Sequence, residues 1–194
     1  MKLEEEGQNF SRTRTTSHLV EAAYLHCLKR ANQNLTLPGQ IAKLFKDVYD
    51  GGNWTSVNVK GTLASVTWEQ ATTKVGSFNT IAALVYHINY YVSALIKVLN
   101  AEQLDARDRY SFDHPPILSE KDWEDLLNKT WSDAETFASL VEQLPENKLW
   151  EDFWGNKYGN YFRNIHGVIE HTHYHLGQIV LIKKMLSKAS EDQP

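Results

Sequence analysis

A chain of 194 residues with 42% hydrophobic and 23% charged side chains has the size and mix of one globular domain, and size scaling would bury roughly 70% of its unfolded surface. Its formal charge of −4 removes any general attraction to nucleic acid or to an anionic membrane, so neither is expected as a partner. A single cysteine, Cys27, excludes an internal disulfide and any multi-cysteine metal site. No uninterrupted apolar run approaches a membrane span in length, and the start Met1-Lys2-Leu3-Glu4-Glu5-Glu6 lacks both the basic and the apolar regions of a signal peptide. These features point to the cytoplasm.

In chain order, residues 1–16 are polar, and Ser17 to about Asn32 carries Leu19, Ala22, Ala23, His26 and Cys27 at helical spacing. Residues 1–35 therefore read as an N-terminal extension, partly helical or mobile, before a bundle over 36–190 and a tail over 191–194. Thr36 offers a cap and Pro38 a helix start; Ile41, Leu44, Phe45, Val48 and Tyr49 form an apolar face, and Gly51-Gly52 stops the helix. Residues 53–79 look like a long connection with one short helix around Leu63–Thr72. Asn79 is the predicted cap of a helix to about Leu99, whose seam is Ile81, Leu84, Ile88, Tyr91, Leu95 and Val98.

After a loop containing Asp113-His114-Pro115-Pro116, Ser119 and Asp122 open a helix with the seam Trp123, Leu127, Thr130, Ala134, Phe137, Val141 and Leu144. Pro145 marks its exit. An aromatic stretch with Trp150, Trp154, Tyr158 and Tyr161 follows, and most of these side chains are expected in the core. The last predicted helix runs from about Phe162 to Lys188 along Ile165, Val168, Thr172, His175, Ile179, Ile182 and Leu186. Long helices with such narrow seams and no strand pair predict an all-α four-helix bundle.

The segment His171-Thr172-His173-Tyr174-His175-Leu176-Gly177-Gln178 carries the strongest chemical signal. Residues four apart share a helix face, about 6 Å apart along the axis, so His171 and His175 can aim at one point. His173 is about 200° from His171 around the helix and should face away. An isolated pair of this kind is more often a polar edge or a satisfied core histidine. Here, however, His175 occupies a seam position, where a buried imidazole needs a hydrogen bond or a metal. A catalytic mononuclear site takes three protein ligands, and His87, at the inward edge of its helix, is the natural third. The remaining histidines of the described pattern, His18, His26, His114 and His166, read as surface or loop residues. Thr172 stands where a zincin protease needs its glutamate, and only Glu170–His173 has the Glu-x-x-His spacing of a di-iron bundle.

His87 in Phe78-Asn79-Thr80-Ile81-Ala82-Ala83-Leu84-Val85-Tyr86-His87, Asn164-Ile165-His166-Gly167-Val168-Ile169-Glu170-His171, and the tail His175-x-Gly177-Gln178-Ile179 together resemble the DinB/YfiT-like superfamily over roughly residues 36–188. The resemblance implies a four-helix bundle with a divalent ion, zinc or nickel, on His87, His171 and His175, and it implies a homodimer. It also implies chemistry: relatives include metal-dependent transferases and an isomerase that use low-molecular-weight thiols. A thiol transferase acting on a small electrophile is thus the leading expectation, with the thiol as cosubstrate and Gln178 or Tyr90 as catalytic groups that hydrogen-bond the bound thiol or orient a ligand. A metal-dependent hydrolase and a non-enzymatic metal-binding or stress-response bundle are the alternatives.

Overall fold

The computed structural model describes residues 36–191. Among these, six helices follow in chain order: α1 Leu37–Tyr49, α2 Val59–Leu63, α3 Trp68–Thr72, α4 Ile81–Leu99, α5 Glu120–Glu142 and α6 Tyr161–Glu191, with 3-10 turns at Asp108–Tyr110 and Glu146–Trp150. Extended pairing among the described residues is limited to an isolated bridge between Asp152 and Asn160. The architecture is all-α. The helix expected over Ser17–Asn32, and everything else expected of residues 1–35, lies outside the described residues.

Side-chain caps set the helix starts. Thr36 is extended, and its hydroxyl accepts from the Gly39 amide at 3.2 Å, with Pro38 in the first turn. Ser119 accepts from the Asp122 amide at 3.3 Å, while the Asp122 carboxylate accepts from Leu118 N at 3.0 Å and from the Ser119 hydroxyl at 2.8 Å. Thr80, not Asn79, caps α4: it is the extended residue, and its hydroxyl accepts from Ala83 N at 3.1 Å. Two adjacent cap formers leave a one-residue ambiguity that only backbone conformation resolves. At the end of α1, Gly51 passes so close to Asp47 that a Cβ would lie 2.7 Å from the Asp47 Cα. The connection after it holds two short helices instead of one. Asn58 caps α2 through Gly61 N at 2.7 Å, and Thr67 with Gln70 forms a reciprocal box at α3.

α5 and α6 each pack against both α1 and α4, which makes these four helices the bundle; α2 and α3 bridge α1 to α4 along its side. The seams read from the sequence are largely the core. Ile81, Leu84, Ile88, Leu95 and Val98 are buried, as are Trp123, Ala134, Phe137 and Val141 on α5 and Ile165, Val168, Ile179 and Ile182 on α6. Phe45 packs its ring against Tyr49 and Phe137 at 4.6 and 4.5 Å. Trp123 is buried and donates its indole N–H to Val66 O at 3.0 Å, which pins the α2–α3 connection to α5.

Three expectations fail here. Leu44 is 55% exposed, because it lies about 100° from the middle of the Ile41–Ala42–Phe45–Val48–Tyr49 stripe. Trp150 and Trp154 are 57% and 36% exposed, so they are not core residues, whereas Tyr161 is buried. Finally, α4 is long and apolar enough, by length and composition, to cross a membrane. Tyr86, His87 and Asn89 interrupt its apolar run, which hid this from a search for continuous stretches. Most of the helix is buried inside the bundle.

Candidate metal centre

Packing of α4 on α6 brings His87 against the histidine pair one turn apart on α6. His87 Nε2 lies 3.0 Å from His171 Nε2, which lies 3.0 Å from His175 Nε2. All three candidate donor atoms fall within 4.8 Å of one another. His87 and His175 are buried and His171 is half-buried.

The outer nitrogens decide what faces inward. His87 Nδ1 sits 3.3 Å from the Ser111 carbonyl, and His175 Nδ1 sits 2.7 Å from Gln178 Oε1. Both partners are acceptors, so both Nδ1 atoms carry the proton and both Nε2 atoms point bare lone pairs at the centre. His171 Nε2, lying 3.0 Å from each, can donate to only one of them. A cation satisfies all three. The buried Nδ1 of His171 has no partner among the described residues.

Aromatic rings close the sides. Phe112 stacks on His87 at 3.8 Å, Tyr91 presents its ring edge-on to His87 at 5.2 Å and to His171 at 5.0 Å, and Tyr174 meets His175 at 4.9 Å. Burial is accordingly the largest cause that lowers each imidazole's pKa. His171 is pushed down to about 4 by burial, then by His175 and His87. His87 is lowered by burial and by His175, against the Ser111 carbonyl, and His175 by burial, against Gln178. All three are neutral at physiological pH, the form that binds metal.

The spacing of two of the three nitrogen pairs also suits an ion. With metal–nitrogen bonds near 2.0–2.1 Å, two bound nitrogens lie about 2.9 Å apart at a right angle and about 3.3 Å apart at a tetrahedral one. The 3.0 Å separations fall in that interval. Imidazole donors suit zinc, nickel and their neighbours alike.

Of the residues singled out in the sequence, His87, His171, His175 and Gln178 come together. Tyr90 does not join them: its hydroxyl accepts from Arg107 N at 2.7 Å and donates to Arg107 O at 3.1 Å. His173 turns its Nδ1 to the Ile169 carbonyl of its own helix at 3.2 Å, and His166 faces Glu170 at 3.6 Å. Ser111 and Phe112 went unnoticed in the sequence, and Tyr91 was read there as a seam residue of its helix rather than as part of the site. Only Tyr91, four residues after His87, had a periodicity signal; the other two arrive through the fold of a loop.

A cavity of about 360 Å³ adjoins His171, with Tyr91, Leu95, Arg163 and Asn164 in its walls. A larger one of about 600 Å³, between α4, α5 and the loop around His114–Ile117, has none of the three histidines in its lining. The smaller cavity is the one placed for chemistry at the cluster.

The sequence profile of the DinB superfamily matches residues 53–179, a span that includes all three histidines. No curated protein and no solved structure matches the chain.

Proposed function

The chain belongs to the DinB superfamily, and from that premise we propose that it is a cytoplasmic, divalent-metal-dependent enzyme with His87, His171 and His175 as the ligands. The observation that carries this reading is the convergence of three Nε2 atoms, two of them held bare by acceptors behind the rings. A structural zinc site is normally closed by four protein ligands, so a set of three favours catalysis. A divalent ion on three neutral imidazoles keeps its full charge and supplies Lewis acidity, lowering the pKa of a thiol or water that binds it.

The protein's own groups then have defined tasks. Gln178 holds His175 and the Ser111 carbonyl holds His87, each fixing a tautomer and a ring orientation. Phe112 covers one face of the His87 ring, and Tyr91 packs against both His87 and His171. The cavity beside His171 admits a small substrate. The only thiol in the sequence, Cys27, falls outside the span that the family profile matches, so the proposed nucleophile is one brought by a cosubstrate. The reaction proposed joins the sulfur of a low-molecular-weight thiol to a small electrophile: the thiol loses its proton, a carbon–sulfur bond forms, and the displaced group leaves with the bonding electrons. A homodimer is proposed as the working state.

The test is conjugation by zinc- or nickel-loaded protein of glutathione, bacillithiol, mycothiol or coenzyme A to 1-chloro-2,4-dinitrobenzene, against the His87→Ala variant. Conjugation well above that variant with at least one thiol is expected. Cleavage of ester or amide substrates without conjugation would move the assignment to a hydrolase. Neither activity above the His87→Ala background would favour a non-enzymatic metal-binding bundle.

A further inference from the structure

Two adjacent tyrosines on α4 fasten a loop whose only buried polar side chain belongs to the residue behind His87. We infer that Tyr91 and Asp108 are positioning residues for the metal ligand His87, acting through the Ser111 carbonyl; the inference rests on the metal reading above. The connection is continuous. Tyr91, one turn after His87 on the same helix, donates its hydroxyl to Asp108 Oδ1 at 2.9 Å. The Asp108 carbonyl accepts from Ser111 N at 3.0 Å and from the Ser111 hydroxyl at 2.7 Å. The Ser111 carbonyl then accepts from His87 Nδ1 at 3.3 Å. The circuit leaves α4 at Tyr91 and returns to it at His87.

Neighbouring contacts show that the loop is held at several points. Tyr90 clamps both backbone groups of Arg107, the residue before Asp108. Ser111 is 1% exposed although it sits in a loop, and Phe112 lies flat on the His87 ring with planes 8° apart. The physical consequence is a choice of tautomer. Neutral imidazole carries one proton, and the Ser111 carbonyl draws it to Nδ1, which leaves the Nε2 lone pair free for an ion. If Tyr91 or Asp108 releases the loop, the ring gains freedom to rotate and to place its proton on Nε2, where it blocks binding.

The experiment measures zinc affinity of the full chain, stripped of metal, by competition with a calibrated chelator. Tyr91→Phe removes one oxygen and keeps the ring beside His87 and His171; Asp108→Ala removes the acceptor, and Asp108→Asn removes the charge while keeping an acceptor oxygen. Tyr110→Phe, on an exposed neighbour that packs against Arg109, is the control. Tyr91→Phe and Asp108→Ala are expected to weaken binding roughly ten-fold, the low end for a group behind a ligand because Asp108 is exposed. Asp108→Asn should return to within about three-fold of wild type, and Tyr110→Phe should match it. Nitrogen-15 spectra of the metal-free proteins should show His87 as the Nδ1–H tautomer in wild type and a mixture in Tyr91→Phe. Wild-type affinity in Tyr91→Phe, or a loss in Asp108→Asn equal to that in Asp108→Ala, would overturn the inference, the second because it would make Asp108 a distant charge. If wild-type protein bound no zinc, the metal reading would fall by itself, and an unchanged His87 tautomer in Tyr91→Phe would overturn the positioning role separately.

Discussion

Acidification from about pH 7 to about pH 5.5 separates a desolvated cluster of imidazoles from three ordinary histidines. Protons and metal compete for the same lone pairs, so affinity falls with the fraction of each ligand that is neutral. An imidazole of ordinary pKa, about 6.5, goes from roughly 76% to roughly 9% neutral over this range, a loss of about eight-fold, and three together lose about 600-fold. His171, with its pKa pushed down to about 4, stays roughly 97% neutral at pH 5.5 and contributes almost nothing to the loss. Even with ordinary values at His87 and His175, the product is about 70-fold. Both are lowered as well, so the expected loss is smaller still. The assay is the zinc dissociation constant at the two pH values, with the competing chelator calibrated at each. A loss near 600-fold would refute the reasoning, because it would mean that the rings are solvated. The sign carries over to stability of the metal-free chain. His171 has a lower pKa folded than unfolded, so its contribution is intact above about pH 6.5 and declines as pH falls from there towards about 4.

Zinc at a hundred times its dissociation constant should stabilise the fold by about 2.7 kcal/mol; for a chain of this size that is a melting-temperature rise of roughly 5–10 °C, and calorimetry showing no shift would contradict a site built from folded-state neighbours. Gln178→Ala should weaken zinc binding about ten-fold, because it removes the acceptor behind His175; an unchanged affinity would show that the acceptor is dispensable. Phe137→Ala, at a fully buried side chain packed 4.5 Å from Phe45, should cost about 3–5 kcal/mol in denaturant unfolding, and a loss under 1 kcal/mol would place the core elsewhere. Light scattering should return about twice the 22.3 kDa of one chain, and a monomer mass at all concentrations would remove the dimer proposal.

Legibility of the fold tracked how local each signal was. The seams of α4, α5 and α6 could be read because a residue's face depends only on helical periodicity, and burial followed it from Ile81 to Val98 and from Ile165 to Ile182. Within the site, the His171/His175 pair was legible for the same reason; Gln178 was singled out as a catalytic group, but its hydrogen bond behind His175 came only with the structure. His87 was placed by its edge position and by resemblance. What escaped was non-local. Ser111 and Phe112 reach His87 across 24 and 25 positions of sequence through a loop with no periodicity to read. Tyr90 and Tyr91 were indistinguishable as side chains, yet a rotation of one residue sends one hydroxyl to the Arg107 backbone and the other to the Asp108 carboxylate.

The most direct measurement is metal content and zinc affinity of tag-free protein, wild type beside single alanine variants at His87, His171, His175 and His173. One ion per chain is expected in wild type, with severe loss in each of the first three variants and none in His173→Ala, whose ring faces its own helix. Full binding without His87, or equal losses for His173→Ala and His171→Ala, would contradict the assignment of the centre.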